Sequence, residues 1–321
     1  MTSIGARKPD WLKVHPPRPR AFRAMSRLLE DLSLHTVCDE ARCPNKGECF
    51  SAGTATFLIL GDACTRNCRF CAVGQGAAGG RSRPDRPATL VDEDEPRRVA
   101  AAARRLGLGH VVVTSVTRDD LPDGGARQFA ATIRALRAGS PPLTVEVLVP
   151  DFGGSEAALA TVLNGRPDVL NHNLETVPRL HTSVRPQAAY ERSLELLRRA
   201  VAWARAAEEG RAAADPSSTS TGSAAASPHA TPARPLVKTG VMVGLGETDA
   251  EVDAVLGDCV AAGVDLVTIG QYLQPAAGCL PVARYVAPAR FAAWERIGAT
   301  LGLRVRAAPF VRSSYRAGEL L

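Results

Sequence analysis

Thr54-Ala55-Thr56-Phe57-Leu58-Ile59-Leu60-Gly61, followed by Asp62-Ala63-Cys64-Thr65-Arg66-Asn67-Cys68-Arg69-Phe70-Cys71, is the stretch from which the rest of the chain can be read. The run from Thr54 to Leu60 is short, apolar and closed by glycine, which predicts a buried strand. Three thiols then follow in the spacing C-x3-C-x2-C on the loop leaving that strand, with an aromatic residue just before the last. Thiolates are the ligands iron-sulfur clusters prefer, and a compact loop with three of them can hold three irons of a cubane and leave the fourth open for chemistry. The alternative is a structural zinc knot. That wants a closed set of four ligands, and no fourth Cys or His stands within a few residues.

With Phe70 in the penultimate place, this spacing resembles the radical S-adenosylmethionine (radical SAM) family. The resemblance implies that the open iron chelates the amino and carboxylate groups of SAM. An electron passed to the sulfonium then yields a 5'-deoxyadenosyl radical able to take hydrogen from an unactivated C-H bond. The protein's share of such chemistry is to bind, orient and seal off the cofactor.

Upstream lies a second group, Cys38, Cys43 and Cys49, spaced C-x4-C-x5-C. Alone it is compatible with zinc, an iron-sulfur cluster or burial of small residues. Beside the first triplet it suggests two metal centres, because one cubane cannot use six thiolates. The chain has 321 residues, 45% of them hydrophobic, enough for one barrel-sized domain or two ordinary ones. No apolar run reaches the length of a membrane span, and the first twenty residues lack the apolar core of a signal peptide, so a cytoplasmic protein is expected. In that compartment thiols read as metal or redox groups rather than disulfides. The net charge of +6 suits an acidic protein partner; with 5% aromatics and no dense basic run, nucleic acid is not expected.

Past Cys71 the pattern alternates. Helical stretches at 93–106, 125–137, 155–163, 188–209, 249–262 and 288–301 interleave with apolar runs at 110–116, 143–149, 168–173, 236–243 and 266–271. Such alternation calls for a parallel sheet with right-handed crossovers, here an α/β partial TIM-type (β/α)6 barrel. The expected organisation is an N-terminal extension over 1–53 carrying the upstream cysteines, the barrel over 54–303, and a C-terminal extension over 304–321 with a strand and Arg312-Ser313-Ser314-Tyr315. Residues 210–235, rich in Ala, Ser, Thr and Pro, read as a disordered insertion on the barrel's lower face. Polar residues collect at the C-terminal strand ends where barrel sites form: Thr114, Ser115, Arg118, Asp119 and Asp120; Asn171, His172, Asn173 and Glu175; Gly244 and Glu247; Gln271 and Tyr272. Any one of them alone is more often a cap or a turn. Cys259 is expected to be a small buried residue, and Cys279, in a Pro- and Gly-rich loop, an exposed thiol without a role.

Taken together, CDEARCPNKGEC, CTRNCRFC, RDDLPDGGA, NHNLETVPRL, GVMVGLGET, IGQYLQP and the terminal RSSY resemble the lipoyl synthase family along almost the whole chain outside the insertion. The resemblance implies that Cys64, Cys68 and Cys71 hold a SAM-binding 4Fe-4S cluster. It further implies that Cys38, Cys43 and Cys49, with Ser314 as fourth ligand, hold an auxiliary 4Fe-4S cluster that is consumed as sulfur source. Phe70, Ser115, Asn173, Glu175 and Gly244 are the candidate SAM contacts. A serine alkoxide is a hard ligand beside soft thiolates, so its iron should be the easiest to release. The implied reaction inserts sulfur at C6 and C8 of an octanoyl-lysine on a lipoyl carrier domain, that of a 2-oxoacid dehydrogenase E2 subunit or the glycine-cleavage H protein. An electron donor and cluster-repair proteins are implied as further partners. Thr117 before Arg-Asp-Asp, Ala72 after Cys71, and the PAAGCLPV loop depart from the family pattern, at none of the implied ligands. Two other readings stand beside this one. A methylthiotransferase would carry its auxiliary cysteines in a separate N-terminal domain, for which about 50 residues are too few. A zinc-binding or iron-sensing protein would be told apart by colour and metal content.

Overall fold

The computed structural model describes residues 8–13, 19–52, 54–73, 90–139, 141–214 and 234–319. In chain order the elements are α1 (Pro19–Asp31), β1 (His35–Thr36), α2 (Val37–Glu40), α3 (Lys46–Ser51), β2 (Thr56–Ile59), α4 (Glu95–Arg105), β3 (His110–Ser115), α5 (Ala126–Arg137) and β4 (Thr144–Leu148). They continue with α6 (Glu156–Asn164), β5 (Val169–Asn171), α7 (Pro178–Val184), α8 (Tyr190–Ala214), β6 (Leu236–Val243), α9 (Asp249–Ala262), β7 (Leu266–Gln271), α10 (Pro288–Thr300) and β8 (Arg304–Ala308).

The strands pair in the order β1 to β8. All pairs are parallel except β1 with β2, where His35 faces Leu58. Among the described residues β8 does not return to pair with β1 or β2, so the sheet is an open, partial barrel, as the alternation predicts. Strands β2 to β7 are the six expected ones, and the strand of the C-terminal extension joins as β8. The short β1 and the seven-residue α7 were not anticipated; each is shorter than a period can reveal.

The helix boundaries follow local chemistry. In α9 the Thr248 side chain accepts from the Glu251 N–H while Glu251 answers at the Thr248 N–H, and Gly263 closes the far end at φ 75°. Ser155 caps α6 by accepting from the Ala158 N–H. The helices cover the outer face of the sheet, where Phe129, Ile133, Leu163, Leu197, Leu256, Phe291 and Trp294 are all buried. Each such side chain contributes roughly 1.5–3 kcal/mol. The inner face is polar. Glu146 of β4 accepts from Lys238 Nζ of β6 at 3.0 Å and from Asn171 Nδ2 of β5 at 3.3 Å, and His110 of β3 stands 3.4 Å away. Burial alone would push the Glu146 carboxyl up, but the Lys238 ammonium beside it pulls it below the ordinary value.

The anticipated insertion falls mostly at 215–233, outside the described residues. Its flanks, the end of α8 and the start of β6, lie at the N-terminal end of the strands, opposite the rim where the candidate site residues gather. No helix among the described residues is long and apolar enough to cross a membrane.

Candidate active site

The loop from Cys64 to Cys71 leaves the C-terminal end of β2 through a sharp reversal, with Leu60 at φ 68° and Gly61 at φ 83°. The loop is then tied down residue by residue. The Thr65 N–H and hydroxyl both donate to the Thr117 carbonyl at 3.0 Å. Because that contact is through backbone, a departure from the family residue at 117 leaves it intact. The Arg66 guanidinium grips Asp119 with two bonds of 2.7 and 2.8 Å and reaches Asp151 at 2.6 Å, and Arg192 holds the other oxygen of Asp151. Although burial opposes it, the Arg66 guanidinium holds the Asp151 carboxyl far below the usual carboxylate range.

Within the loop, the N–H groups of Arg66 and Val73 point at the sulfurs of Cys64 and Cys71 at 3.4 Å. Burial pushes the thiols of Cys68 and Cys71 up, that of Cys38 to about 12 and that of Cys49 to about 11. Thiols so placed are protonated when empty, and binding cationic iron displaces the protons and offsets the desolvation. Three soft sulfurs per group, two of them already accepting backbone N–H bonds in the first, fit an iron-sulfur cluster. Among the described residues no three His, Cys, Asp or Glu converge tightly enough for a single metal ion.

The upstream cysteines sit on a helical hairpin: Cys38 in α2, Cys43 in the turn beyond it, and Cys49 in α3. Thr36 caps α2, and the Cys43 N–H returns to the Cys38 carbonyl at 3.1 Å. The C-terminal tail closes this hairpin from the opposite end of the chain. Asn45 Nδ2 donates to the Phe310 carbonyl at 2.7 Å, and the Tyr315 hydroxyl and Arg316 Nη2 both donate to Glu48 at 2.8 and 2.9 Å. The Ser313 hydroxyl donates to Asn173 Oδ1 at 2.7 Å, which lays the tail across β6 and β7. It fits there because two strand residues are glycines. A Cβ at Gly240 would stand 2.6 Å from Ser313 Oγ, and one at Gly270 would overlap the Val311 carbonyl.

A cavity of about 430 Å3 joins the two groups: Cys38, Cys43, Cys49 and Ser314 line it together with Phe70 and Cys71 of the other triplet. Its walls are otherwise largely apolar, with Ala72, Leu148, Met242 and Tyr272.

The remaining rim residues divide. The Asn173 amide donates to Glu175 at 3.0 Å and accepts from Ser313, and its backbone carbonyl accepts from the Arg185 guanidinium, so the segments after β5 and α7 meet the tail there. Burial pushes the Glu175 carboxyl up. The Ser115 hydroxyl is buried with no hydrogen-bond partner among the described residues. Gly244 lies on the same rim at φ 103°, its N–H held by Glu247 and its open side filled by Gln271 and the Arg284 carbonyl. His172 Nδ1 bonds the Val149 carbonyl at 2.8 Å, its Nε2 has no partner among the described residues, and burial lowers it to about 4, so the ring is neutral. Cys259 is buried as expected. Cys279 is not the exposed thiol expected: it is buried, with its sulfur donating to the Cys71 carbonyl at 3.5 Å, while the Leu280 N–H donates to the Arg69 carbonyl. The Pro- and Gly-rich loop folds down onto the cysteine loop, a long-range contact that composition does not reveal.

Residues 58–202 match the radical SAM superfamily, and residues 2–43 match the N-terminal domain of lipoyl synthase of the radical SAM family. The lipoyl synthase of Caldanaerobacter subterraneus is 51% identical over 97% of this chain and 96% of its own. The chain belongs to the lipoyl synthase family. Membership extends over its full length, since the lipoyl synthases of Rubrobacter xylanophilus and Chlorobium chlorochromatii are 48% and 49% identical over 97% of this chain, and 86% and 94% of their own. Among solved structures, methylornithine synthase (TM-score 0.50, 12% identity, 91% of this chain and 75% of that one) shares the fold. So does Streptococcus suis SuiB bound to S-adenosylmethionine (TM-score 0.50, 12% identity, 89% and 60%).

The sequence reading singled out both triplets, Ser314 and the rim, Gly240 included, and passed over Arg66, Asp151, Arg185 and Gly270. Glycine inside an otherwise β-branched strand was the available signal for Gly270. For the charged residues there was none, because their partners are distant in sequence.

Proposed function

We propose that Cys64, Cys68 and Cys71 hold a SAM-binding 4Fe-4S cluster and that Cys38, Cys43, Cys49 and Ser314 hold an auxiliary one. The observation that supports this is the single cavity lined by both cysteine groups and Ser314. As a member of its family the chain is a radical SAM enzyme, with iron-sulfur clusters and SAM as cofactors and a lipoyl carrier protein as substrate. When bound, these groups supply a deoxyadenosyl radical to take hydrogen from C6 and C8 of the octanoyl chain and sulfide to replace it.

The chain's own residues position the reactants. Ala72, Leu148, Met242 and Tyr272 give an apolar path for an octanoyl chain between the two cysteine groups and keep water from it. Phe70, Ser115, Asn173 and Glu175 are the SAM-side contacts, with the orphaned Ser115 hydroxyl and the buried Glu175 carboxyl as its polar anchors, and Gly244 shapes the adjoining turn. Lys8 and Arg42 stand on the same cavity and suit an acidic carrier, whether a 2-oxoacid dehydrogenase E2 subunit or the glycine-cleavage H protein. Residues 1–53 and 304–321 act as one functional unit around the auxiliary site, set against the barrel of 54–303.

The test is an anaerobic assay of reconstituted protein with SAM, a reductant and an octanoylated carrier domain, read by mass spectrometry of the carrier. With the parent protein the carrier gains two sulfurs, and with Ser314→Ala it gains none while SAM is still cleaved. SAM cleavage without sulfur gain in the parent protein would overturn the assignment.

A further inference from the structure

Three residues of the cysteine loop are seated against the C-terminal end of α7. The Asn67 N–H donates to Gln187 Oε1 at 3.2 Å, and the Arg69 N–H donates to the Val184 carbonyl at 2.9 Å, with Arg69 Nη1 on the Ser183 carbonyl at 3.3 Å. Cys68 lies between these two anchors, beside Arg185, the residue that follows Val184 at the end of α7, and the positive charge of Arg185 acts on the Cys68 thiol. The same guanidinium donates to the carbonyls of Asn173 at 3.1 Å and Leu174 at 3.5 Å.

Arg185 is 8% exposed. Arg66 and Arg192 on the same rim each hold a buried aspartate, whereas Arg185 makes no carboxylate ion pair among the described residues, and its Nε is without a partner there. Two neighbours that could compete for charge, His172 and His181, are neutral. Glu175 is a buried carboxyl near it, held by the Asn173 amide. A buried guanidinium is costly unless an anion faces it. When the triplet holds iron, the Cys68 sulfur is a thiolate, and the net negative charge of the iron-sulfur group then faces Arg185.

We propose that Arg185 is a positioning residue for the SAM-side cluster, whose fixed positive charge at Cys68 raises the reduction potential of that cluster. Reduction adds one electron to an anionic group, and a nearby cation stabilises the more negative state; cluster potentials respond to net charge and to hydrogen bonds on the sulfurs. Through its bonds to the carbonyls of 173 and 174, the same side chain locks the segment bearing Asn173 and Glu175 to the cluster loop. The inference rests on the assignment of Cys64, Cys68 and Cys71 made above.

The test is an EPR-monitored redox titration of the reconstituted full-length protein without SAM, followed by SAM addition to identify the signal that responds to it. In Arg185→Gln the reduction equilibrium of that signal falls at least tenfold, about 59 mV more negative for one electron. Arg185→Lys, which keeps the charge, stays within threefold of the parent protein. An unchanged potential in Arg185→Gln overturns the proposal, as does an Arg185→Lys shift as large as tenfold, which would assign the effect to the planar fork rather than the charge. Normal titration with weakened SAM binding would make Arg185 a SAM contact instead and also overturn it. Failure of the underlying cluster assignment would look different: no EPR signal of the parent protein would respond to SAM.

Discussion

Gly270→Ala should dislodge the C-terminal tail and uncouple SAM cleavage from sulfur insertion. A Cβ at 270 would overlap the Val311 carbonyl oxygen and stand 3.0 Å from both the Val311 carbonyl carbon and Arg312 Nη1. The obstacle is backbone, so no side-chain rotation relieves it. Strand β7 cannot retreat, because it is paired along its length with β6 on one side and β8 on the other. The tail is the softer partner, held by one bond each at Asn45 and Asn173 and two at Glu48. Overpacking of this kind costs about 1–3 kcal/mol. Released by unseating the tail, that lowers the ratio of seated to unseated tail by about 5- to 150-fold. Ser314 leaves the auxiliary cysteines with it, while the loop of Cys64, Cys68 and Cys71, whose anchors lie at 117, 119, 151 and 184, is untouched. Deoxyadenosine release measured by chromatography should persist, while sulfur gained by an octanoylated carrier, measured by mass spectrometry, should fall by up to that factor. Full sulfur insertion by a folded Gly270→Ala protein would refute the claim that the glycine exists to seat the tail.

Further tests address the barrel beneath the site. Lys238→Met strands the buried Glu146 carboxylate and should cost about 3–5 kcal/mol in urea unfolding, most of it recovered in Lys238→Met/Glu146→Leu; a double variant no more stable than the single one would contradict this. His172 and His181 are both held down to about 4 by burial, so the neutral rings favour the fold. Their contribution is complete above the unfolded value of about 6.5 and is lost as pH falls from there toward 4, at about 1.4 kcal/mol per pH unit for each ring; His172→Gln should halve that slope. Asp151 works in the opposite chemical sense. Its depressed carboxyl stabilises the fold above the unfolded value of about 3.9 and ceases to as pH falls through its folded value. The stability gap between the parent protein and Asp151→Asn should therefore be widest near neutrality and narrow below pH about 4, and a gap independent of pH would rule out charge as its source.

What could be read from the residues was what lies close together along the chain. Hydrophobic period gave strands β2 to β7 and every barrel helix except the short α7 to within a few residues, because buried parallel strands are continuous apolar runs. Thiol spacing gave both triplets, since each occupies a single loop or hairpin. What escaped was built by tertiary approach. The Arg66 link to Asp151 spans 85 positions and the Ser313 link to Asn173 spans 140, and neither end carries a local signature. Cys279 was misjudged for the same reason: Pro and Gly around it suggest exposure, while the loop as a whole packs onto Cys71 and Arg69.

The two candidate cluster sites differ in how they depend on folding. The Cys64–Cys71 triplet is complete within eight consecutive positions, so its thiols stay close whether or not the barrel has formed. The auxiliary set needs Ser314 beside cysteines about 270 positions away, a loop whose closure carries an entropic cost that only the finished sheet offsets. The bonds from Tyr315 and Arg316 to Glu48, and from Asn45 to Phe310, bring those distant segments together on either side of the serine. A serine ligand delivered by the last turn of the chain is thus conditional on β8 having docked and on Gly240 and Gly270 leaving room for the tail. The proposed auxiliary site is therefore the one the protein can assemble only when folding is complete, and the hard oxygen ligand proposed at its corner would be the contact most easily made and broken.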